Sequence, residues 1–303
     1  LSIRRQRQMC IRDRYKARII ARQGKNFIVQ DAEHNLHQCY VRSQAQDAVC
    51  GDRVVCESES RGQDIITSIE PRINQLTRID NFKREKTLAA NIDHMLIVVA
   101  ATPEFSTLLI DKYLACATLN KCAVSLIVNK AELLNEQQVN INALADTYKN
   151  LVDHFVITSA KLGYGVTALR KVLADETNIL VGQSGVGKSS LINRLLNTSS
   201  IKTGSLSESI QQGRHTTTNA YAHPMSSAGE TDTKIIDSPG VRSFTPTIAR
   251  IDQVALGFRE FSEFIGSCKF ANCRHLNEPD CAIKKAVAEN KICLLYTSDA
   301  ADE

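Results

Sequence analysis

Four residues near the carboxyl end, Cys268, Cys273, His275 and Cys281, have the spacing Cx4CxHx5C. Three thiolates and one imidazole suit a tetrahedral, structural Zn2+ ion, one per chain, and leave no open position for a substrate. Upstream, Gly182-Gln183-Ser184-Gly185-Val186-Gly187-Lys188-Ser189 satisfies GxxxxGK[ST], with Ser190 following, between an apolar strand and an apolar helix. Glycines in such a loop let backbone N–H groups surround phosphate oxygens, and the next helix adds its positive amino end. Lys188 is expected to contact β- and γ-phosphates and Ser189 to ligate Mg2+. A Gly-rich turn before a helix explains the glycines but not Lys188 followed by Ser189.

Asn129-Lys130-Ala131-Glu132 closes an apolar strand and resembles the guanine-reading NKxD element of GTPases, with Glu for Asp. Guanine alone pairs an N1–H with an N2–H2 on one edge, so a facing carboxylate selects it over adenine. Glu132 keeps both oxygens but extends them by a methylene, so the loop must retract or specificity weakens. One lost charge-assisted hydrogen bond is worth about 1.5 to 3 kcal/mol. Ser159-Ala160-Lys161, after a further strand, resembles the SAK element whose backbone meets guanine O6. An ordinary GTPase places phosphate binding before base reading; the reverse order here predicts a circularly permuted domain.

Asp237-Ser238-Pro239-Gly240 matches DxxG, so that Asp237 would hold Mg2+ through water and the Gly240 N–H would face the γ-phosphate. Val241 follows, where a Ras-like enzyme carries its water-orienting glutamine. Gly213-Arg214-His215-Thr216-Thr217-Thr218 lies where the first switch belongs. Thr217 is expected to complete the Mg2+ shell, with Thr216 as the alternative. His215 is a candidate for positioning the attacking water, set against a solvent-exposed loop histidine. Arg214 is an alternative candidate for contact with RNA or phosphate.

These residues need elements to hold them. From 15 to 71, five short alternating segments separated by glycine or polar clusters fit an OB-fold barrel, or else a generic five-stranded meander. Pro71 and the basic stretch to Lys86 read as a linker. Beyond residue 87, buried strands alternate with helix-length segments, including a helix at Thr107–Leu119, and predict a doubly wound α/β domain. Residues 248–293 form a third piece, helical at both ends around the cysteine cluster. The fold class is therefore multidomain: an amino-terminal OB-fold β-barrel (15–72), a central α/β circularly permuted P-loop GTPase (73–247) and a mostly helical zinc-binding domain (248–293). Residues 1–14 and 294–303 read as non-native scars outside the fold.

At 43% hydrophobic and 23% charged over 303 residues, the composition excludes a disordered or collagen-like chain. No apolar run approaches the roughly 20 residues that cross a bilayer. A net charge of +4 permits nucleic-acid contact without arguing for it. Ten dispersed cysteines fit a reduced, cytoplasmic protein with one metal site. Cys39, Cys116 and Cys122, in apolar surroundings, are expected to be small buried hydrophobes. Lys269, Arg274, Lys284 and Lys285 make the metal module basic, as an RNA-facing surface or a solvated face would be.

Across residues 15–293 the chain resembles the ribosome small-subunit-dependent GTPase A family (RsgA, or YjeQ), through AANID at Ala89–Asp93, NKAE, SAK, GQSGVGKSSL, GRHTTT, DSPGV and CKFANCRHLNEPDC. The resemblance implies a late assembly factor that binds the decoding region of the small ribosomal subunit, hydrolyses GTP there with Mg2+, and then leaves. It also implies that barrel and zinc module contact ribosomal RNA, that turnover is slow without the subunit, and that the protein is a cytoplasmic monomer with no membrane partner. Glu132, and the segment standing where the family has its final helices, depart from the pattern. Two other readings stay open: an RNA-binding adaptor with a structural nucleotide, and a permuted GTPase acting on the large subunit.

Overall fold

The computed structural model describes residues 14–41, 45–58, 63–79, 84–134, 141–173, 177–197, 221–225, 233–237 and 253–292. The first five strands are β1 (Arg14–Gln23), β2 (Asn26–Asp31), β3 (Leu36–Val41), β4 (Arg53–Glu57) and β5 (Asp64–Ile69). β1 pairs with both β2 and β4, β2 with β3, β3 in parallel with β5, and β5 with β4. The ring therefore closes, as an OB-fold barrel does and a meander does not. Alternate residues such as Ile19, Phe27, Val29, Val54 and Ile66 fill it. Cys39 packs in this core and Cys116 and Cys122 in the next one, all buried, as their apolar surroundings implied.

The stretch read as a linker is instead structured. β6 (Gln75–Ile79) and β7 (Glu85–Ala90) form an antiparallel pair. Arg72 binds the fully buried Asp52 of the barrel through two hydrogen bonds of 2.7 and 2.9 Å. Its guanidinium also donates to the Asp47 carbonyl and to Gln75 Oε1. At the end of β7, Asn91 donates to the Gly51 carbonyl and accepts from the Ile73 N–H. Composition resembled a linker because the partners that fix these polar groups lie far away in sequence.

The second half of the sheet comprises β8 (His94–Ala100), β9 (Ala123–Asn129), β10 (His154–Ile157), β11 (Thr177–Val181), β12 (Tyr221–Pro224) and β13 (Lys234–Asp237). Spatial order is β10-β9-β8-β11-β13-β12, parallel except for β12. All seven β8 residues are buried, because both faces are covered. Met95, Ile97 and Val99 face α1 (Thr107–Leu119) and α2 (Ile141–Tyr148), whereas Leu96, Val98 and Ala100 face α3 (Val166–Val172) and α4 (Lys188–Asn197). Ser106 caps α1 by accepting the Leu109 N–H. The barrel joins this sheet where β1 pairs with β12 and where Arg18 donates to Thr177 Oγ1 at 2.8 Å.

In the carboxyl-terminal piece, the described residues hold two 3-10 turns, Ala255–Gly257 and Arg259–Phe261, and one helix, α5 (Ala282–Ala288). Turns fill most of the rest, so the amino-side helix expected there is represented by 3-10 geometry. No helix among the described residues is long and apolar enough to cross a membrane.

Removing one partner of a buried ion pair leaves an uncompensated charge. Arg72→Ala is therefore expected to destabilise the chain by about 3 to 5 kcal/mol in urea unfolding. Adding Asp52→Asn should recover part of the loss, since the amide oxygen can still accept the Val49 N–H that Asp52 now accepts.

Candidate functional site

Because β8, β9, β11 and β13 run in parallel, their carboxyl ends open on one edge, where ligands bind in open α/β sheets. After β11 the chain turns at Gly182, whose φ of +136° and 2.2 Å separation between an added Cβ and the Val98 carbonyl oxygen require glycine. Val186 then plugs into the core beside α3 and α4, anchoring a loop whose Ser184 and Gly185 stay exposed. Gln183 is half-buried, and Ser189 and Ser190 sit in the first turn of α4. Lys188 is buried and folds back so that Nζ donates to the Gly182 and Gln183 carbonyls at 2.7 and 2.6 Å. A buried ammonium inside a turn of backbone amides is a phosphate cradle.

Asn129, 1% exposed at the end of β9, ties this cradle to the other motifs. Its Nδ2 donates to the Val186 carbonyl at 2.9 Å. Its Oδ1 accepts the Ala160 N–H at 3.1 Å and the Thr158 hydroxyl at 3.2 Å. A Cβ on Gly187 would lie 2.3 Å from that same Nδ2, so glycine there leaves room for the amide. The two base-reading segments and the phosphate loop thus meet at one side chain, although they span residues 129 to 189.

Lys130 adopts left-handed backbone geometry, φ +59°, and its Nζ donates to the Thr102 carbonyl at 2.7 Å. Ala131 donates its N–H to the Thr158 carbonyl, starting the 3-10 turn that presents Glu132. The Ser159 hydroxyl, with Lys161 and Lys130 nearby, holds the Glu132 carboxyl below its ordinary pKa against partial desolvation. Glu132 Oε2 is shielded from solvent and has no hydrogen-bond partner among the described residues. An unpaired buried acceptor is costly unless a ligand donates to it, and a guanine edge supplies such donors. The extra methylene of Glu132 therefore ends in one oxygen that no donor among the described residues has taken. Asp237 ends β13, one residue beyond Ile236, which pairs with Ile179 of β11. It thus lies on the same edge as Ser189. Arg214, His215, Thr216, Thr217, Gly240 and Val241 lie outside the described residues.

Sequence patterns singled out neither Thr158 nor Thr102. Thr158 follows β10 and Thr102 lies two residues beyond β8, so only the rule that loops after parallel strands line the crevice pointed to them.

The second cluster is compact. The ligand atoms of Cys268, Cys273, His275 and Cys281 all lie within 4.8 Å of one another. Cys268 Sγ to Cys281 Sγ is 3.9 Å, and His275 Nδ1 lies 3.5 and 3.4 Å from those two sulfurs. Tetrahedral zinc with standard bond lengths gives edges of about 3.8 Å between sulfurs and about 3.6 Å between sulfur and nitrogen. The donor set and its spacing fit such an ion. The Ala282 N–H, donating to Cys268 Sγ at 3.3 Å, supports the thiolate from outside.

Residues 69–247 match the family model described as RsgA GTPase. The chain belongs to the RsgA GTPase family. A relative from Histophilus somni (strain 2336), the small ribosomal subunit biogenesis GTPase RsgA, is 37% identical over 279 residues, covering 90% of this chain and 79% of the relative. The protein of the same name from Nitrosospira multiformis is 38% identical over 277 residues, covering 91% and 86%. Among solved structures, YjeQ from Thermotoga maritima superposes with a TM-score of 0.74 at 27% identity, over 93% of this chain and 94% of that one. YloQ, a circularly permuted GTPase, gives 0.67 at 26% identity over 92% and 90%. The RsgA-family chain has the same kind of order, with β9 and β10 preceding β11 in sequence and flanking the same crevice.

Asn129→Ala removes three hydrogen bonds and strands buried partners. It is expected to weaken binding of a fluorescent guanosine diphosphate at least about tenfold by titration, since each orphaned group costs about 1 to 3 kcal/mol.

Proposed function

We propose that this protein is a GTPase of small ribosomal subunit biogenesis, which hydrolyses GTP while bound to the maturing subunit and leaves as a consequence. The observation that carries the reading is the Asn129 amide, which joins the phosphate loop and both base-reading segments into one pocket of guanosine-nucleotide character. Family membership and the names of the relatives support hydrolysis and the ribosomal setting.

Within that pocket, Glu132 accepts from guanine, with the backbone N–H of Lys161 at O6, since that of Ala160 is held by Asn129, and with Lys130 supporting the turn. Backbone N–H groups from Gly182 through Gly187 and the amino end of α4 surround the phosphates, and Lys188 neutralises the β- and γ-oxygens. Ser189, and Asp237 through water, would hold Mg2+, which would supply charge neutralisation to the phosphates. Thr217 would contribute a further Mg2+ ligand, Gly240 would meet the γ-phosphate, and His215 would orient water in place of the glutamine that Val241 cannot provide. Cys268, Cys273, His275 and Cys281 would hold Zn2+ as a structural ion. The barrel (15–72) and the zinc module (248–293) contact ribosomal RNA on either side of the GTPase domain (73–247). The protein acts in the cytoplasm, where ribosomal subunits mature.

Phosphate release from GTP and from ATP, each with and without purified small subunits, tests the reading. Strong stimulation of GTP turnover alone is expected, with Lys188→Ala inactive. Nucleotide binding without subunit-stimulated release would mean an RNA-binding adaptor, and stimulation by large subunits instead would reassign the partner.

One zinc per chain is the expected metal content. Cys281→Ser should lose the metal and leave residues 253–292 exchanging amide hydrogens at rates near those of an unfolded segment.

A further inference from the structure

α1 lies between two regions that have no sequence proximity. Tyr113 and Ala115 are two residues apart, about 200° around the helix axis, and so face opposite sides. Tyr113 is fully buried and meets the start of the phosphate loop, lining one cleft with Gly182 and Gln183, with the Gly182 backbone N–H close enough to its hydroxyl to lower its pKa against burial. With Phe105, Ile110 and Gln183 it lines the narrow cleft between α1 and that loop. Burial raises the Tyr113 pKa to about 12, so the hydroxyl keeps its proton at neutral pH. The same Gly182 offers its carbonyl to Lys188 Nζ at 2.7 Å. One residue of the loop therefore faces the Tyr113 side chain of α1 and is held through its carbonyl by the phosphate-binding lysine.

On the other side of α1 rests the 3-10 turn Ala255–Gly257 that opens the metal-bearing module. Gly257 is buried, and a Cβ there would approach Ala115 Cβ to 2.8 Å and the Ala115 backbone to 3.1 Å. That distance leaves no slack between turn and helix. From the turn the chain continues to Arg259, which pairs with Asp153 at 3.3 Å, and to Phe261, which packs on the core around Cys268, Cys273 and Cys281. Because interiors are packed to crystal-like density, a displacement of the turn moves the helix rather than compressing it.

We infer that Tyr113 is a positioning residue for the phosphate loop, and that through it α1 makes nucleotide binding depend on how the metal-bearing module is seated at Gly257. The inference rests on the GTPase reading and adds a route by which events at the carboxyl-terminal module reach the phosphates. Neither Tyr113 nor Gly257 has to touch the nucleotide for this to hold.

The test is titration of the full, metal-loaded chain with a fluorescent guanosine diphosphate. Tyr113→Phe keeps the ring and removes only the hydroxyl; it is expected to weaken binding about three- to tenfold, the scale of one hydrogen bond. Gly257→Ala should weaken it by a comparable factor from the far side of the helix. The double variant should lose less than the product of the two factors, as coupled sites do. Should Gly257→Ala fail to accumulate, Arg259→Ala loosens the same module without entering α1 and is expected to give the same non-multiplicative pattern with Tyr113→Phe. Affinity within twofold of wild type for either single variant, or simple multiplication in the double, overturns the inference. A wild-type chain that does not bind the nucleotide defeats the GTPase reading instead, so the two failures are distinguishable.

Discussion

The pocket depends on the amide of Asn129, a small group with both ends in use. Its NH2 reaches across to Val186 in the phosphate loop, while its carbonyl oxygen collects donors from Thr158 and Ala160 after β10. No other neutral side chain of that size offers a donor and an acceptor on opposite sides of one plane. Its burial removes competing water, which strengthens each bond and makes each costly to break. Chain order does not enter into this. Three segments that converge on one amide form the same pocket whichever of them is translated first, and a permuted GTPase is therefore chemically equivalent to an unpermuted one at its base and phosphate sites.

The amide works only because the strand ends beneath it are fixed, and here the barrel takes part. Arg18 of β1 binds the Thr177 hydroxyl, and Asp93 brackets Thr177 with its backbone N–H to the Thr177 carbonyl and its carboxylate on the Thr177 N–H. Thr177 starts β11 and Gly182 follows its end, about 16 Å along the strand. The barrel thus holds the amino end of the strand that carries the phosphate loop. On its other flank, the Asp52–Arg72 pair and the Asn91 bridges fasten the barrel to the β6–β7 pair. Such buried polar contacts fix one docking geometry, where an apolar seam would tolerate sliding.

Much of this was legible in the residues. Strands β8, β9 and β11 read correctly because burial on both faces demands continuous apolar runs, and α1 matched Thr107–Leu119 because Ser106 caps it and its buried residues recur at helical spacing. The nucleotide motifs and the metal set were also visible, since close approach to phosphate or metal restricts residue type at fixed spacing. The β6–β7 pair was not. Gln75–Ile79 places Thr77 and Arg78 side by side, and Glu85–Ala90 runs three polar residues and then three apolar ones, so neither keeps the two-residue period of a strand, and what stabilises them, Arg72 on Asp52 and Asn91 on Gly51, depends on contacts no local pattern encodes. Tyr221–Pro224 is likewise four residues with a terminal proline, a strand only because β13 and β1 lie on either side.

The carboxyl-terminal piece shows the opposite balance between chemistry and packing. Its buried apolar residues are few: Ile283, Ala286 and Ile292 join Cys281, with Phe261, Phe264 and Ile265 half-covered around them. A core this small cannot offset the ordering entropy of some 40 residues by hydrophobic burial alone, and segments of that size usually need a metal or disulfides. The geometry meets that need directly. Cys281 precedes the first residue of α5, and the Ala282 N–H that would be left unpaired at the helix start is given to Cys268 Sγ. A metal held by Cys268 and Cys281 therefore fixes the helix start and the preceding loop together, so the module's shape follows from ligation. A turn braced on α1 at Gly257 inherits that rigidity, and this allows a module with so little core to press on a helix that borders the phosphate loop.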